Sequence, residues 1–417
     1  MLADNHTRLA LQRLSHTVSR SSAQAWAGVQ DQEGVRSRVG WARQRVLDQL
    51  PMYLERLENA TEANGVQVQW ADSAQNANRI IIEILQSLDV KEALRNHAPL
   101  LDEIALDKAA EANGIDLTRL HPGDRILELT NSQISHPVWP AAHLRIEDIS
   151  EAAREQWSMP TTVDPDILAS AIRVRLRRRL IGSRTAILGL NFAVAETGSM
   201  VCLDNDGHNP SLIALARNAI LLLSVEQVVA DSEDLHLLVE AYARSAWGRP
   251  LPAYVTQLCS PSPQKIDGPR QIHLILVDNR RSRILDRGYG EALRCIHCGA
   301  CHNVCPVYQQ IGSQGYDDSP YSGPIGAVIN PILLRPGLAE HQPFLSTNCL
   351  ACGPACPVDI DLPALLQQHR QELASKIASS RERSAIRLWR YLLRRPTLFV
   401  NAFRRAGRRR VIMPRRK

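Results

Sequence analysis

The sequence predicts an α/β domain with a mostly parallel sheet, followed by a smaller domain that is rich in cysteine, glycine and proline. Short apolar runs alternate with amphipathic helical segments through the middle of the chain, and this alternation is typical of strands joined by helical crossovers. From Gly288 onward, glycine, proline and clustered cysteines replace that pattern. Such a composition favours short loops and short helices wrapped around a bound group.

The length and composition are those of a globular protein. The chain has 417 residues, of which 44% are hydrophobic and 22% are charged, and this length suggests two or three domains. The N-terminus carries charged residues where an export signal needs a continuous apolar stretch. The most apolar run, around Ala219–Leu223, is far shorter than the roughly 18 to 20 residues that span a bilayer. These features predict a cytoplasmic protein.

Four regions are predicted along the chain. Residues 1–60 form an N-terminal helical segment, because apolar residues recur there at three- and four-residue spacings. Pro51 suits a kink or the first turn of a new helix, and Asn64-Gly65 ends this pattern. The α/β domain covers residues 61–287, the cysteine-rich domain covers 288–370 and a basic amphipathic tail covers 371–417. The predicted strands are Val66–Trp70, Thr185–Leu190, Met200–Leu203, Ala219–Ser224 and Ile272–Val277, and the clearest helices are Ala77–Leu88, Pro165–Leu180 and Ser232–Ala246.

The first of two cysteine runs has the spacing of a bacterial ferredoxin. Residues 295–306 read CIHCGACHNVCP, and the cysteines are Cys295, Cys298, Cys301 and Cys305. This C-x2-C-x2-C-x3-C-P pattern matches the ferredoxin signature at every position. The small residues Gly299 and Ala300 allow backbone N–H groups to approach cluster sulfurs. The run therefore predicts an iron-sulfur cluster.

The second run is the same signature without its first cysteine. Residues 349–357 read CLACGPACP and contain Cys349, Cys352 and Cys356, and Ser346 stands where the first cysteine would be. In two-cluster ferredoxins the last cysteine of each run ligates the cluster of the other run. We therefore predict two [4Fe-4S] clusters with crossed ligands. The first is held by Cys295, Cys298, Cys301 and Cys356, and the second by Cys305, Cys349 and Cys352.

The sequence leaves the completion of the second cluster open. A [3Fe-4S] form, a water or other non-cysteine ligand such as Ser346, and a ligand from a partner are the alternatives. His297 and His302 are expected to be solvated or to lie beside a cluster without ligating it. A structural zinc site fits poorly, because zinc modules take four ligands as two separated pairs. Cys202 and Cys259 stand apart from the runs and are predicted to be buried small hydrophobic residues.

The C-terminal tail is strongly basic. Residues 370–417 contain 16 Lys and Arg residues against two acids, a net charge of +14 in a chain whose total is +6. Apolar residues such as Leu388-Trp389 and Leu398-Phe399 alternate with the arginines. One interpretation is a helix that packs its apolar side on the body of the protein. Another is contact with an acidic partner or with the inner face of a membrane. Nucleic-acid binding is not expected, because no recognised motif accompanies the charge.

Joined to the cysteine runs, several segments make nearly the whole chain resemble the lactate utilization protein B family. The segments are LPMYLERLENATEANGVQVQWA, LNFAVAETGSMVCLDNDG, HLILVDNRRSRIL, ALRCIHCGACHNVCPVY, YSGPIGAVINPIL and CPVDIDLPALL. The resemblance implies a LUD domain, similar to the NagB/RpiA/CoA-transferase-like α/β fold, over roughly residues 60–285. A mainly helical two-[4Fe-4S] ferredoxin-type domain is implied to follow it.

The resemblance also implies a function and partners. The chain would be the iron-sulfur electron-transfer subunit of a multi-protein complex that oxidises L-lactate to pyruvate. Its implied partners are a cysteine-rich redox subunit and a second LUD-domain protein. One alternative is another 2-hydroxy acid, such as glycolate, as the substrate. Another is a non-catalytic iron-sulfur regulatory or scaffold protein. No catalytic acid, base or nucleophile is assigned.

A further segment has two interpretations, namely the lining of a small-molecule pocket in the LUD domain, or a strand and turn that close the sheet. If the domain has such a pocket, its predicted lining is Asn191, Glu196, Thr197, Gly198 and Ser199. Two segments differ from the sequences usual in the family, namely residues 90–116 and the turn DNDGHNPS at residues 204–211.

Overall fold

The computed structural model describes residues 5–262, 267–317, 319–335, 337–377 and 380–401, with no side-chain account of residues 375–377 and 380–383. The chain forms two compact units, Met1–Leu366 and Gln367–Lys417. The helices are α1 (Asn5–Ala27), α2 (Gln32–Asp48), α3 (Leu50–Ala63), α4 (Ala74–Ser87), α5 (Pro99–Glu103), α6 (Leu106–Ala112), α7 (Pro122–Thr130), α8 (Ile146–Trp157), α9 (Pro165–Gly182), α10 (His208–Leu215), α11 (Ser232–Ala246), α12 (Arg281–Asp286), α13 (Ala300–Asn303), α14 (Tyr308–Ile311), α15 (Gly323–Leu333), α16 (Leu362–Ile377) and α17 (Ser380–Leu393). The strands are β1 (Gln67–Ala71), β2 (Glu92–Arg95), β3 (Asp116–Arg119), β4 (Thr185–Gly189), β5 (Phe192–Val194), β6 (Ser199–Asp204), β7 (Asn218–Ser224), β8 (Val228–Val229), β9 (Tyr254–Leu258) and β10 (Gln271–Val277).

The N-terminal segment is helical, as predicted. The Asp31 carboxylate caps α2 by accepting a hydrogen bond from the Gly34 N–H at 2.9 Å. Pro51 lies in the first turn of α3, where its missing N–H costs nothing. The helix ends at Asn64, and Gly65 follows with a φ of +83°.

A six-stranded parallel sheet forms the centre of the first unit, with the strand order β1-β10-β7-β4-β2-β3. Alternate residues of its central strand β7 enter two different cores. Leu221 and Leu223 pack on one face of the sheet, and Ile220 and Leu222 pack on the other. Because both faces are buried, the strands are continuous apolar runs. The predicted α/β class is confirmed.

A second, four-stranded sheet has the order β8-β5-β6-β9. Its strand β6 pairs antiparallel with β5 and with β9. The predicted strand Met200–Leu203 therefore belongs to this sheet. β5 has three residues and β8 has two, which is too short for a hydrophobic period to be visible in the sequence.

The cysteine-rich region is mainly helical, as expected. α13 and α14 are four-residue turns, and α15 is longer, with Pro324 in its first turn. Asn330 of α15 is fully buried and donates hydrogen bonds to the Tyr321 carbonyl and to Gln342 Oε1, both at 2.7 Å. These bonds fix the loops on both sides of α15 to the helix.

The second unit carries the basic tail. α17 has apolar side chains that are exposed, among them Ile386, Leu388, Trp389 and Leu393. Within the described ranges, no helix combines the length and the hydropathy that crossing a bilayer requires.

Candidate iron-sulfur site

The seven clustered cysteines line two separate cavities. The first thiol cavity is lined by Cys295, Cys298, Cys301 and Cys356, together with apolar residues. The second thiol cavity is lined by Cys305, Cys349 and Cys352. Each run thus contributes its last cysteine to the cavity of the other run. The folded chain groups the thiols as the crossed ferredoxin pattern does, and their assignment to clusters stays a prediction.

The thiols of the first cavity are desolvated and close enough to affect one another. Burial raises the pKa of the Cys295 thiol to about 12, with a further contribution from Cys356. Burial likewise raises the pKa of Cys301 well above its usual value, and negative charge on Cys295 and Cys298 raises it further. These sulfurs can all be ionised only if positive charge lies between them. An iron-sulfur cluster supplies that charge, so the donor set fits such a group.

The second thiol cavity has the same character and lies nearer the surface. Burial raises the pKa of Cys352 to about 12, and the neighbouring thiol of Cys305 adds to the shift. Cys349 is exposed. Ser346 also lines this cavity, and its Oγ accepts a hydrogen bond from the Asn348 N–H at 3.2 Å. The position of Ser346 keeps it among the alternatives for a fourth ligand.

Among the described residues, no three His, Cys, Asp or Glu side chains converge closely enough to share one metal ion. A cubane cluster differs from a single ion because each of its irons takes its own thiolate.

The N-terminal helices and the α/β domain together hold the start of the first cysteine run. Arg43 is buried, and its guanidinium donates hydrogen bonds to the main-chain oxygens of Leu293 at 3.0 Å and Arg294 at 3.2 Å. Gln227 Nε2 donates to the carbonyl oxygen of Cys295 at 3.0 Å. Side chains from α2 and from the segment after β7 therefore fix the backbone that carries the first thiol.

The two histidines of the first run are packed beside the thiols. His302 is only 4% exposed, so of the two expected positions, in solvent or beside the predicted cluster, it has the second. Its Nδ1 lies 3.4 Å from Cys301 Sγ, and its Nε2 lies 3.2 Å from Ser322 Oγ. The ring of His297 lies 5.2 Å from the ring of Tyr321. Both histidine side chains line the first thiol cavity, and its predicted ligands are the cysteine sulfurs.

Gly299 keeps the backbone between two thiols close to a neighbouring loop. It adopts a left-handed φ of +75°, and an added Cβ atom would lie 3.2 Å from the ring of His136. Both features favour glycine at this position. The sequence analysis identified the small side chain but had no means of locating His136.

A third and larger cavity, the sheet-edge cavity, lies at the carboxyl ends of four parallel strands and has a volume of about 450 Å³. It is lined by residues that follow or end these strands, namely Asn96 and His97 after β2, His121 after β3, Asn191 after β4 and Ser224 at the end of β7. This edge of a parallel sheet is where ligands of α/β proteins bind, and the volume is typical of small-molecule sites.

Of the five residues named for a pocket, Asn191 borders the sheet-edge cavity, and the other four match the alternative interpretation as a strand and turn. Glu196, Thr197, Gly198 and Ser199 do not line the sheet-edge cavity. They form the turn into β6, where Thr197 Oγ1 donates to Ser199 Oγ at 2.7 Å. Part of the lining comes from residues 96–100 and 204–209, which fall in the two segments that differ from the usual family sequences. The rule that ligands bind at the carboxyl ends of parallel strands, applied to β2, would have identified residues 96–100.

Replacing Gly198 with alanine should destabilise the fold by about 1–3 kcal/mol. Gly198 has a φ of +69°, and an added Cβ atom would lie 2.8 Å from the backbone of Ala60 and Thr61 in α3. Gly114 is a matched control, because it has the same φ of +69° with open space around the added atom. Chemical denaturation should show a clearly larger loss for Gly198→Ala than for Gly114→Ala. Equal losses would mean that the close approach of α3 is absent.

His97 and Asp124 form a buried ion pair beside the sheet-edge cavity. Both Asp124 oxygens lie 3.1 Å from His97 Nδ1, and His97 Nε2 lies 2.9 Å from the carbonyl oxygen of Pro137. Burial alone would lower the pKa of His97, but the charge and hydrogen bond of Asp124 raise it to about 9. Burial alone would raise the pKa of Asp124, and the charge of His97 holds it well below its usual value. With an acceptor at each ring nitrogen, His97 is a cation.

This ion pair predicts a specific dependence of stability on pH. Because the pKa of His97 rises from 6.5 to about 9 on folding, its contribution is complete below pH 6.5 and is lost as the pH rises through about 9. The depressed pKa of Asp124 stabilises the folded state at pH values above the usual pKa range of an aspartate, and this stabilisation is lost in acid. The free energy of unfolding should therefore fall between pH 6.5 and 9, and this fall should be smaller in His97→Gln. An exposed-site control, His236→Gln, should keep the wild-type slope. Identical slopes in all three proteins would exclude the ion pair.

The sheet-edge cavity and the first thiol cavity share a wall. Pro99, Pro137, Ile296, His297 and Tyr321 line both cavities. A molecule in the sheet-edge cavity would therefore be separated from the Cys295, Cys298, Cys301 and Cys356 thiols by a single layer of side chains. This arrangement brings a ligand-sized space beside the predicted first cluster.

A buried charge network supports that shared wall. Arg281 donates hydrogen bonds to both Glu103 oxygens at 2.8 Å, and its Nε lies 2.6 Å from Glu226 Oε2 in an ion pair, with all three side chains nearly inaccessible. The Tyr321 hydroxyl donates to Glu103 Oε2 at 2.6 Å. Burial disfavours ionised Glu103, but the charge of Arg281 dominates and lowers the pKa of this carboxyl. One arginine thus neutralises carboxylates from α5 and from the segment after β7.

The two isolated cysteines have different environments. Cys202 in β6 is buried, as predicted, and burial raises the pKa of its thiol to about 12. Cys259 is exposed, so the prediction of a buried position is wrong for it. Cys259 follows β9, an edge strand of the second sheet, and its Sγ lies 3.3 Å from Ser199 Oγ. An edge position explains the exposure.

Comparisons with known proteins agree with this architecture. Residues 54–277 match the LUD domain family, and residues 291–360 match the 4Fe-4S dicluster domain family. The fold and the thiol cavities thus define a LUD-domain protein that carries a ferredoxin-type iron-sulfur domain. Lactate utilization protein B of Bacillus velezensis is 36% identical over 82% of this chain and 72% of its own length. The Macrococcus caseolyticus protein of the same name is 37% identical over 80% of this chain and 70% of its own length. The chain belongs to the lactate utilization protein B family.

One solved structure is also similar. A DUF162 family protein from Deinococcus radiodurans aligns with 55% of this chain and 98% of its own, with 16% identity and a TM-score of 0.31.

Proposed function

We propose that this chain is the iron-sulfur electron-transfer subunit of a protein complex that oxidises L-lactate to pyruvate. The observation that carries the proposal is the pair of thiol-lined cavities, in a chain whose relatives are named for lactate utilization. When bound, [4Fe-4S] clusters accept and release single electrons. The role of the protein is to hold them, to exclude water and to present them to partners.

The cluster ligands follow from the grouping of the thiols. Cys295, Cys298, Cys301 and Cys356 would hold a [4Fe-4S] cluster in the first thiol cavity. Cys305, Cys349 and Cys352 would hold the second cluster, whose fourth ligand is not a cysteine of this chain. Desolvation of the thiols, together with the hydrogen bonds from Arg43 and Gln227 to the adjoining backbone, supports a rigid and dry first site.

The second cluster is proposed to face the partner proteins. Cys349 is exposed, and the adjacent Leu350 is 58% exposed, so this cavity opens near the surface. The proposed partners are a cysteine-rich redox subunit and a second LUD-domain protein. An exposed site suits electron exchange between proteins, because it shortens the distance to a docked partner.

The test is lactate-dependent reduction of the clusters in the reconstituted complex. The chain should be loaded with iron and sulfide, mixed anaerobically with its two proposed partners and followed by EPR after addition of L-lactate, with D-lactate and glycolate as parallel additions. L-lactate should give the largest signal. Clusters that dithionite reduces but L-lactate does not, with both partners present, would refute the proposal. A larger signal from glycolate would change the substrate and keep the redox role.

A further inference from the structure

We propose that the sheet-edge cavity binds an uncharged ring molecule that carries carbonyl groups, and that it excludes the free carboxylate of a 2-hydroxy acid. The choice of a redox-active ring rests on the proposed electron-transfer function. The exclusion of carboxylates rests on charge alone.

The charges around the cavity disfavour an anion. Among the described residues, no lysine or arginine lines it, whereas Asp204 and Asp206 do. Protein sites for carboxylates usually supply an arginine, whose two parallel N–H groups match the two oxygens. A carboxylate brought into this cavity would lose water and meet two negative side chains without such a partner. Lactate oxidation is therefore assigned to another site of the complex.

The positive charge of His97 does not provide the missing partner for a carboxylate. His97 directs Nδ1 to Asp124 and Nε2 to the Pro137 carbonyl oxygen. Both of its N–H groups are thus occupied within the protein, and the adjacent carboxylate balances its charge. His97 therefore has no free N–H group with which to receive an anionic ligand.

The remaining polar groups offer hydrogen-bond donors suited to carbonyl oxygens. His121 Nδ1 accepts a hydrogen bond from the Gly123 N–H at 3.2 Å, which assigns the ring proton to Nε2. This Nε2 lies 3.4 Å from Asp206 Oδ2 at the cavity edge, so a ligand carbonyl would share it with that carboxylate. The Asn191 side-chain oxygen accepts from the Leu203 N–H at 2.8 Å, which leaves its NH2 group as the end that can donate to a ligand. Donors from two different strand ends therefore border the same space.

The rest of the lining suits a flat, uncharged ring. Trp139, Tyr242 and Trp247 all line the cavity, and aromatic side chains pack favourably against conjugated rings. The wall shared with the first thiol cavity would hold such a ring one layer of side chains from the predicted cluster. Uncharged, conjugated and carbonyl-bearing rings are a redox-active class of molecule, which this position favours over an uncharged sugar.

Binding to the iron-sulfur-loaded chain tests the charge argument with a matched pair of probes. The first probe is 2,3-dimethyl-1,4-naphthoquinone, which is uncharged and has no free ring position for thiol addition. The second is 2-hydroxy-3-methyl-1,4-naphthoquinone, which has the same ring and is an anion at neutral pH. Calorimetry should show the uncharged ring binding at least roughly tenfold more tightly than the anion, and no binding of L-lactate. Trp139→Ala should weaken binding of the uncharged ring by about three- to tenfold.

A charge reversal in the lining provides the second arm. Asp206 is 45% exposed at the side chain, so Asp206→Arg should fold, and it should tighten binding of the anionic ring by roughly tenfold without a similar gain for the uncharged ring. The control is Glu111→Arg, an exposed position on α6 outside the cavity, which should change neither affinity. Failure of the uncharged ring to bind, or equal affinity for both rings in the unchanged chain, would overturn the proposal. Loss of lactate-dependent cluster reduction would refute the proposed function and leave this result standing.

An independent observation concerns the tail, and we infer that α17 binds an anionic lipid surface. Arg387 and Arg390 share one side of the helix, and Arg394 in the turn directly after it continues the three- and four-residue spacing, with its N–H 3.3 Å from the Arg390 carbonyl oxygen. Leu388 and Trp389, which are 61% and 49% exposed, point away from that side. Residues 383–417 contain no acidic residue. A basic face opposite an exposed apolar face with a tryptophan is the pattern of helices that lie in a membrane interface.

Vesicle sedimentation of the full-length chain tests this inference. Vesicles with about 30% phosphatidylglycerol in phosphatidylcholine should bind the chain, and pure phosphatidylcholine vesicles should bind it far less. Replacing Arg387, Arg390 and Arg394 with glutamine should weaken binding by roughly 100-fold or more. The matched control replaces Arg173, Arg177 and Arg178, exposed arginines of α9, and should leave binding unchanged. Equal binding to both vesicle types, or binding to an acidic protein or nucleic acid without vesicle binding, would overturn the inference.

Discussion

Replacing Cys356 with serine should remove about half of the bound iron, because one of two clusters loses a ligand. Cys356 belongs to the second sequence run but lines the first thiol cavity, together with Cys298 and Cys301. The cluster at Cys305, Cys349 and Cys352 should remain. Iron and acid-labile sulfide, measured after anaerobic purification, give the result directly. Cys259→Ser, at an exposed thiol outside both cavities, is the control and should retain all of the iron.

A double variant distinguishes crossed from uncrossed ligation. If Cys298 and Cys356 hold the same cluster, the variant with both replaced by serine should lose no more iron than either single variant, since the effects of coupled residues do not add. If each run instead holds its own cluster, the double variant should lose nearly all of its iron. The second result would contradict the assignment that the shared cavity supports.

Replacing Arg281 with methionine should destabilise the first unit by about 3–5 kcal/mol, because it leaves buried carboxylates without a counter-charge. Glu103 and Glu226 both lie within 2.8 Å of the guanidinium, and their side chains are 4% exposed. Urea denaturation of the iron-sulfur-loaded chain measures the loss. Adding Glu103→Gln and Glu226→Gln to Arg281→Met should restore part of the stability, since no buried carboxylate is then left without its arginine, although the buried Arg43 also loses the charge of Glu226.

A surface ion pair gives the comparison for this effect. Arg79 and Glu83 form an exposed pair on α4, and Arg79→Met should change stability far less than Arg281→Met, because water solvates the remaining carboxylate. Equal losses from the two variants would show that the network around Arg281 is hydrated and that the shared wall of the two cavities is not rigid.

Local chemistry explains which features could be predicted from the sequence. The spacing of Cys295, Cys298 and Cys301 is set by how a short loop surrounds a cluster. The signal is therefore contained within residues 295–306 and can be recognised from the sequence. The helix α9 (Pro165–Gly182) begins after Asp164, whose side chain caps it, and Pro165 lies in its first turn. Both signals act within a few residues, where spacing and side-chain type are sufficient.

Long-range convergence explains what could not be predicted. The sheet-edge cavity combines His97, His121, Asn191 and Ser224, which come from separate strand ends, and their meeting depends on the strand order β7-β4-β2-β3. A single chain without an alignment does not specify that order. The pocket prediction therefore relied on the turn before β6, which instead packs on α3 through Gly198.

Buried arginines form the other class of missed features. In sequence, Arg43 and Arg281 resemble the many solvated arginines of this basic chain, because arginine is seldom fully buried. Each is nonetheless nearly inaccessible and is held by main-chain oxygens or carboxylates from distant segments. Their burial follows from tertiary contacts between the LUD domain and the cysteine-rich region, which no local pattern encodes.

The iron, sulfide and zinc content of the anaerobically purified full-length chain, together with its Mössbauer spectrum, tests the central claim most directly. The account predicts roughly seven to eight irons for each chain with a similar amount of sulfide, as two cubane clusters with seven cysteine ligands require. It also predicts spectra of [4Fe-4S] or [3Fe-4S] type. A chain that contains stoichiometric zinc and no acid-labile sulfide would contradict the claim that these thiol cavities hold iron-sulfur clusters.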